Sequence, residues 1–162
     1  MAQPPLLLEE SYFDIVSLEA VPEYVPDAEG RPRRHGVEMQ LGLATVDDNP
    51  GVWRMSLDIA HKDVAEETPR YRFRLRAIGF FRSVAAEKPE AEVAQLVATN
   101  GASILYSSAR EYLLMLTSRA PWGQLSLPTM SFADVQLTPN EAQPEAKSVV
   151  GDRPRRHCSA SR

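Results

Sequence analysis

The residue types able to do chemistry are few in this chain and poorly spaced for it. Three histidines (His35, His61 and His157) and one cysteine, Cys158, are scattered over 162 residues. No histidine stands in an H-E-x-x-H pair or at another metal-ligand spacing. His157 beside Cys158 could form a metal or redox pair, but among Arg and Ser it reads more plainly as a solvated tail thiol. His61 with Asp63 could form an acid–base pair, although a strand-end histidine facing solvent accounts for the same residues. Asp47-Asp48 runs into Asn49-Pro50-Gly51 and reads as a turn. There is no G-x-S-x-G elbow, Walker loop or G-x-G-x-x-G run. The expectation is a protein that is not an enzyme and uses no metal or cofactor.

Two other patterns concern binding. Arg70, Arg72, Arg74 and Arg76 alternate, which on a strand puts all four on one face. Such a row suits a phosphate or an acidic partner, or is a solvated face offset by acids such as Glu38 and Asp58. Trp122, Leu125, Leu127, Met130 and Phe132 lie in a segment of no clear period, and either line an apolar client groove or cap a core.

The elements that must position these residues come next. The first ten residues read as a loose lead-in, and Tyr12 to Ala20 as a strand. Its alternation slips one step at Ile15-Val16, where a bulge would restore it. Val21 to Gly36 holds Pro22, Pro26, Gly30 and Pro32, and reads as a long loop. Three alternating runs follow, around Val37–Ala44, Trp53–Ala60 and Arg70–Ala77. Short links between them imply antiparallel neighbours, apolar on one face only. The period then changes. Glu90 to Ala98 reads as a helix broken at Asn100-Gly101. Ser103 to Arg119 reads as the principal helix, with Leu105, Ser108, Tyr112, Met115 and Leu116 on one stripe. A short last helix is expected over Met130 to Leu137, with Ser131 as its N-cap.

The expected architecture is α+β: a four-stranded antiparallel sheet with one long helix and shorter helices packed on one face. Residues 1–138 form the domain and 139–162 a disordered basic tail. The helix is apolar beyond one stripe, so Leu105, Tyr112, Met115 and Leu116 are expected to mediate self-association.

Composition sets the remaining bounds. Apolar residues are 43% and charged residues 25%, which is ordinary globular usage. Net charge is −4, divided between a tail of +2 over residues 139–162 and a body of −6. An acidic body is a poor surface for nucleic acid. No run approaches the ~18–20 apolar residues needed to span a bilayer. The lone cysteine suits a reducing, cytoplasmic setting, and Pro4-Pro5-Leu6-Leu7-Leu8 lacks the basic flank of a signal peptide.

Ile104-Leu105-Tyr106-Ser107-Ser108-Ala109-Arg110-Glu111-Tyr112 resembles the N-I-L-F-P-Y-A-R-E helix of the SecB family of export chaperones. Thr117-Ser118-Arg119, Gln124-Leu125-Ser126-Leu127-Pro128 and Ser131-Phe132 follow in that family's order and spacing. Val16-Ser17-Leu18-Glu19-Ala20 and Gly79-Phe80-Phe81 are similar to its first and fourth strands. The resemblance implies an ATP-independent holdase for unfolded preproteins, built as a homotetramer (a dimer of dimers). It also implies delivery to the SecA motor, docked on an acidic outer sheet face. Glu19 matches one of that face's acids, and Asp14 a second if the inserted residue lies at Ile15-Val16. Arg72 and Arg74 stand where the family carries leucine and an acid. A relative dedicated to an antitoxin or another single client is therefore an alternative, as is a non-chaperone oligomeric adaptor.

Overall fold

The computed structural model describes residues 5–26, 36–65, 67–84 and 88–135. Strands β1 (Leu6–Ala20), β2 (Gly36–Thr45), β3 (Val52–Lys62) and β4 (Tyr71–Ser83) precede one helix, α1 (Glu90–Thr117). The sheet has the order β1-β4-β3-β2 and every pairing is antiparallel. The α+β class and the four strands agree with the alternation in the sequence. The extents differ: β1 begins at Leu6, so residues 6–11, expected as part of a loose lead-in, belong to the strand.

One face of the sheet is apolar because the odd-numbered residues of β3 and β4 all point to it. Met55, Leu57, Ile59, Tyr71, Phe73, Leu75 and Phe81 are buried there against α1. The helix answers with Val93, Val97, Ala98, Ala102, Leu105, Tyr106, Ala109, Leu113 and Thr117, which recur at steps of three and four. This corrects the stripe expected from sequence. Leu105 lies on it, but Met115 points away and is 59% exposed. Tyr112 and Leu116 are half-buried at its margin, with Tyr112 stacked on Phe13 at 4.6 Å between ring centroids.

Asn100-Gly101 does not break the helix. α1 is continuous over 28 residues, and Gly101 lies on its buried side. A Cβ at Gly101 would stand 3.1 Å from Met55 Sδ and 3.2 Å from Phe81 Cε2. The glycine therefore permits close approach of helix to sheet, which outweighs its roughly 1 kcal/mol propensity cost. Across the interface, a Cβ at Gly79 would stand 2.7 Å from the Phe81 ring and 2.9 Å from Leu105 Cδ2.

The shorter helices are absent from the described residues. Residues 130–135 hold only a turn, and Ser131 Oγ accepts from Ala133 N at 3.4 Å rather than capping a helix. Leu137, the 139–162 tail, His35, His157 and Cys158 lie outside the described residues. No helix of the described residues is long and apolar enough to cross a membrane, and they hold no group of three metal-ligating side chains.

Candidate functional site

After α1 ends, the chain doubles back along the helix as an irregular strap, residues 124–135. Thr117 anchors its start. This buried hydroxyl donates to Leu113 O at 2.7 Å and accepts from Leu125 N at 2.8 Å. Arg110 Nε then donates to Ser126 Oγ at 3.3 Å, and the Tyr106 hydroxyl donates to Pro128 O at 2.6 Å. Burial of that phenol pushes its pKa up, which keeps it a donor. Gln95 Nε2 donates to Val135 O at 2.7 Å near the strap's end. From Thr117 to Gln95 the helix rises by about 30 Å, so ten strap residues must be largely extended to cover it.

The five residues expected to line a client groove do not share one environment. Leu125, Leu127 and Phe132 are core residues of the strap's underside, and Phe132 packs edge-on against Tyr106 at 5.5 Å. Met130 is 44% exposed. Trp122 is half-buried at the turn before the strap and is pinned on several sides. Its Nε1 donates to Val21 O at 3.1 Å, and its backbone N donates to the Tyr71 hydroxyl at 2.9 Å. That hydroxyl in turn donates to Gly123 O at 2.9 Å. Tyr24 meets the indole edge-on at 5.5 Å. With the strap seated, an open groove along all five residues does not exist.

Sequence reasoning missed the residues that hold the strap: Gln95, Tyr106, Thr117 and Tyr71. One signal was legible. Thr117 falls four residues after Leu113 on the buried stripe, and a polar residue placed there needs a partner.

The outer sheet face carries the charged residues. β1 has two register shifts against β4, between Leu8 and Glu10 and between Phe13 and Ile15. The extra residues are Glu9 and Asp14, so the inserted position is Asp14 itself rather than Ile15-Val16. Both inserted acids bond arginines of β4. Arg82 Nε donates to Glu9, and Arg76 donates to Asp14 at 2.6 and 2.9 Å. Arg74 grips Asp58 on β3 at 2.7 and 3.1 Å. Arg72 is more open, with Asp63 4.0 Å away, and Glu19 stands opposite it in the register. Arg70 leaves the row and donates to Trp122 O at 3.4 Å. Tyr12 and Phe80 add an aromatic pair to this face, their centroids 6.4 Å apart.

The side-chain hydrogen bond from Arg76 holds the Asp14 carboxyl below its usual range. A lowered folded-state pKa stabilises above the unfolded value and is lost as pH falls through the folded one. The pair is about one-third exposed, with side-chain exposures of 38% and 30%, so it contributes only about 0–1 kcal/mol. Asp14→Asn should therefore lower the urea midpoint slightly at pH 7 in low salt. The gap should close in high salt and as pH falls below the carboxyl's lowered folded-state range. A gap that persists at low pH would assign the loss to something other than this ion pair.

His61 does not face solvent. Its ring lies on the inner side beside Phe73, with centroids 6.2 Å apart and a side chain only 7% exposed. Asp63 Oδ1 is 3.3 Å from Nε2, but neither ring nitrogen makes a well-formed hydrogen bond among the described residues.

No family model matches the sequence, and no curated protein sequence does. Solved structures do resemble the fold. One is the Mycobacterium tuberculosis Rv1957 SecB-like chaperone in complex with a ChAD peptide from the Rv1956 HigA1 antitoxin. It superposes with a TM-score of 0.59 at 15% identity, covering 78% of this chain and 91% of that one. A Streptococcus agalactiae protein of unknown function is more distant, with a TM-score of 0.40 at 14% identity, over 79% of this chain and 100% of that one. At such identities the likeness is one of architecture: this chain shares the fold of the mycobacterial SecB-like structure.

Proposed function

We propose that this protein is a SecB-like holdase, a non-enzymatic chaperone that binds unfolded polypeptide without ATP. The observation that carries this reading is the strap. Along the helix, the fold holds an extended, irregular chain through its backbone and a few apolar anchors. Those are the features an unfolded client offers. The mycobacterial neighbour was solved with an antitoxin peptide, which fits a polypeptide ligand for this fold.

Within that reading, a dedicated client such as an antitoxin is favoured over general delivery to SecA. A basic motor tail needs free acids on the outer face. Here Asp14, Asp58 and Glu9 are each occupied by an arginine of β4. Self-association as a tetramer and a cytoplasmic setting belong to the same proposal. Ile104 and Met115, both exposed on α1, support the first. The test is suppression of aggregation of unfolded proteins without nucleotide.

A further inference from the structure

We infer that a shallow groove on the solvent side of the first three turns of α1 is the docking site of this chain's own residues 136–141, with Leu137 as the anchor. The inference does not depend on the holdase reading.

The groove has a volume of about 350 Å³ and, among the described residues, is lined by Lys88, Glu92, Gln95, Leu96, Thr99 and Asn100. These positions recur at steps of three and four, so they form one stripe along the helix. The neighbouring positions Val93, Val97 and Ala98 are buried in the core, which leaves the groove stripe on another side of the helix. Leu96, half-buried, is its apolar centre. The aliphatic stems of Lys88, Glu92 and Gln95 extend that apolar surface.

The end of the strap selects the occupant. Gln95 lines the groove, and its Nε2 donates to Val135 O at 2.7 Å, so the described chain arrives at the groove at Val135. The next six residues are Gln136, Leu137, Thr138, Pro139, Asn140 and Glu141. Leu137 is the first apolar side chain after Val135 and lies within about 7 Å of it along the chain. So short a tether gives Leu137 an effective concentration on the order of millimolar or more at the groove, which a second copy at micromolar concentration does not match. Pro139 biases Thr138 away from helix, and an extended stretch suits a groove that runs along one. Six extended residues span up to about 20 Å, whereas Lys88 stands about 10–12 Å along the helix from Gln95. Glu141 is therefore within reach of Lys88, whose half-exposed ammonium group meets Glu92 at 3.3 Å. Docking of this segment ties down the strap's far end as Thr117 ties its start.

The test is a double-mutant cycle in the full chain, Leu96→Ala and Leu137→Ala, read by urea unfolding. Alanine keeps the helix propensity at position 96, so both variants should fold, with far-ultraviolet dichroism unchanged. Leu137→Ala should lower the urea midpoint by about 0.5 M. Added to Leu96→Ala it should lower the midpoint no further, because both changes remove the same contact. In the unmodified protein the methyl groups of Leu96 and Leu137 should show a mutual nuclear Overhauser effect. A silent Leu137→Ala overturns the docking, and so do losses that add, which would place Leu137 against another surface. A Leu96→Ala loss that changes with protein concentration while Leu137→Ala is silent also overturns it and gives the groove to a second copy.

Discussion

Leu113→Asp should unfold the protein, whereas Met115→Asp should leave it folded. The two positions are two residues apart in α1 but on opposite sides of it. Leu113 is fully buried in the core. A carboxylate there loses the leucine's burial and meets no partner, at a cost of about 4–5 kcal/mol or more. That is a large part of a typical domain's stability of about 5–15 kcal/mol. Met115 is largely in solvent, so its replacement should change stability by no more than about 0.5 kcal/mol. If α1 also mediates self-association, Met115→Asp should lower the oligomeric state without loss of helix. Far-ultraviolet dichroism, urea unfolding and light scattering on both variants separate these outcomes. Loss of fold in Met115→Asp would mean that the core stripe lies elsewhere on the helix.

Thr117→Val should cost about 1–3 kcal/mol and loosen the strap at its root. Valine matches the shape of threonine but removes the hydroxyl. Leu113 O keeps a place in the helix ladder's last turns, but the buried Leu125 N–H would lose the Thr117 Oγ1 acceptor to which it donates at 2.8 Å. An unsatisfied buried donor carries its full desolvation penalty. The change should appear as a lower urea midpoint and as faster amide exchange at Leu125, with the sheet amides little altered. An unchanged Leu125 exchange rate would show that the hydroxyl does not hold the strap.

Much of this fold was legible because period and burial agree. The strands around Val37–Ala44, Trp53–Ala60 and Arg70–Ala77 are apolar on one face only, and the structure covers that face only. The glycines misled for a physical reason. Asn100-Gly101 has the composition of a break, but Gly101 is held by Met55 and Phe81, which lie far away in sequence. The bulges were half visible. The slipped alternation located one within two residues, but nothing local revealed that Asp14 is the insertion, because Arg76 defines it from another strand. The strap was the least legible part. Its residues have no period, and they are held by hydrogen bonds with Gln95, Tyr106 and Thr117, pairings that no local pattern in the sequence reveals. Of the expected client residues, Leu125, Leu127 and Phe132 were correctly seen as apolar but are covered, not open. The arginine row was placed on the correct face for three of its four members, Arg70 being drawn to the Trp122 carbonyl instead.

The most direct measurement is aggregation of chemically unfolded proteins diluted into buffer, followed by light scattering with and without this protein and with no nucleotide present. Several unrelated unfolded proteins and one antitoxin-like segment with its partner domain would serve as clients. The account predicts that scattering falls with added protein, that ATP changes nothing, and that the same clients in their folded form are not bound. Suppression of one client alone would select the dedicated reading. No suppression of any client at a several-fold molar excess would contradict the holdase account.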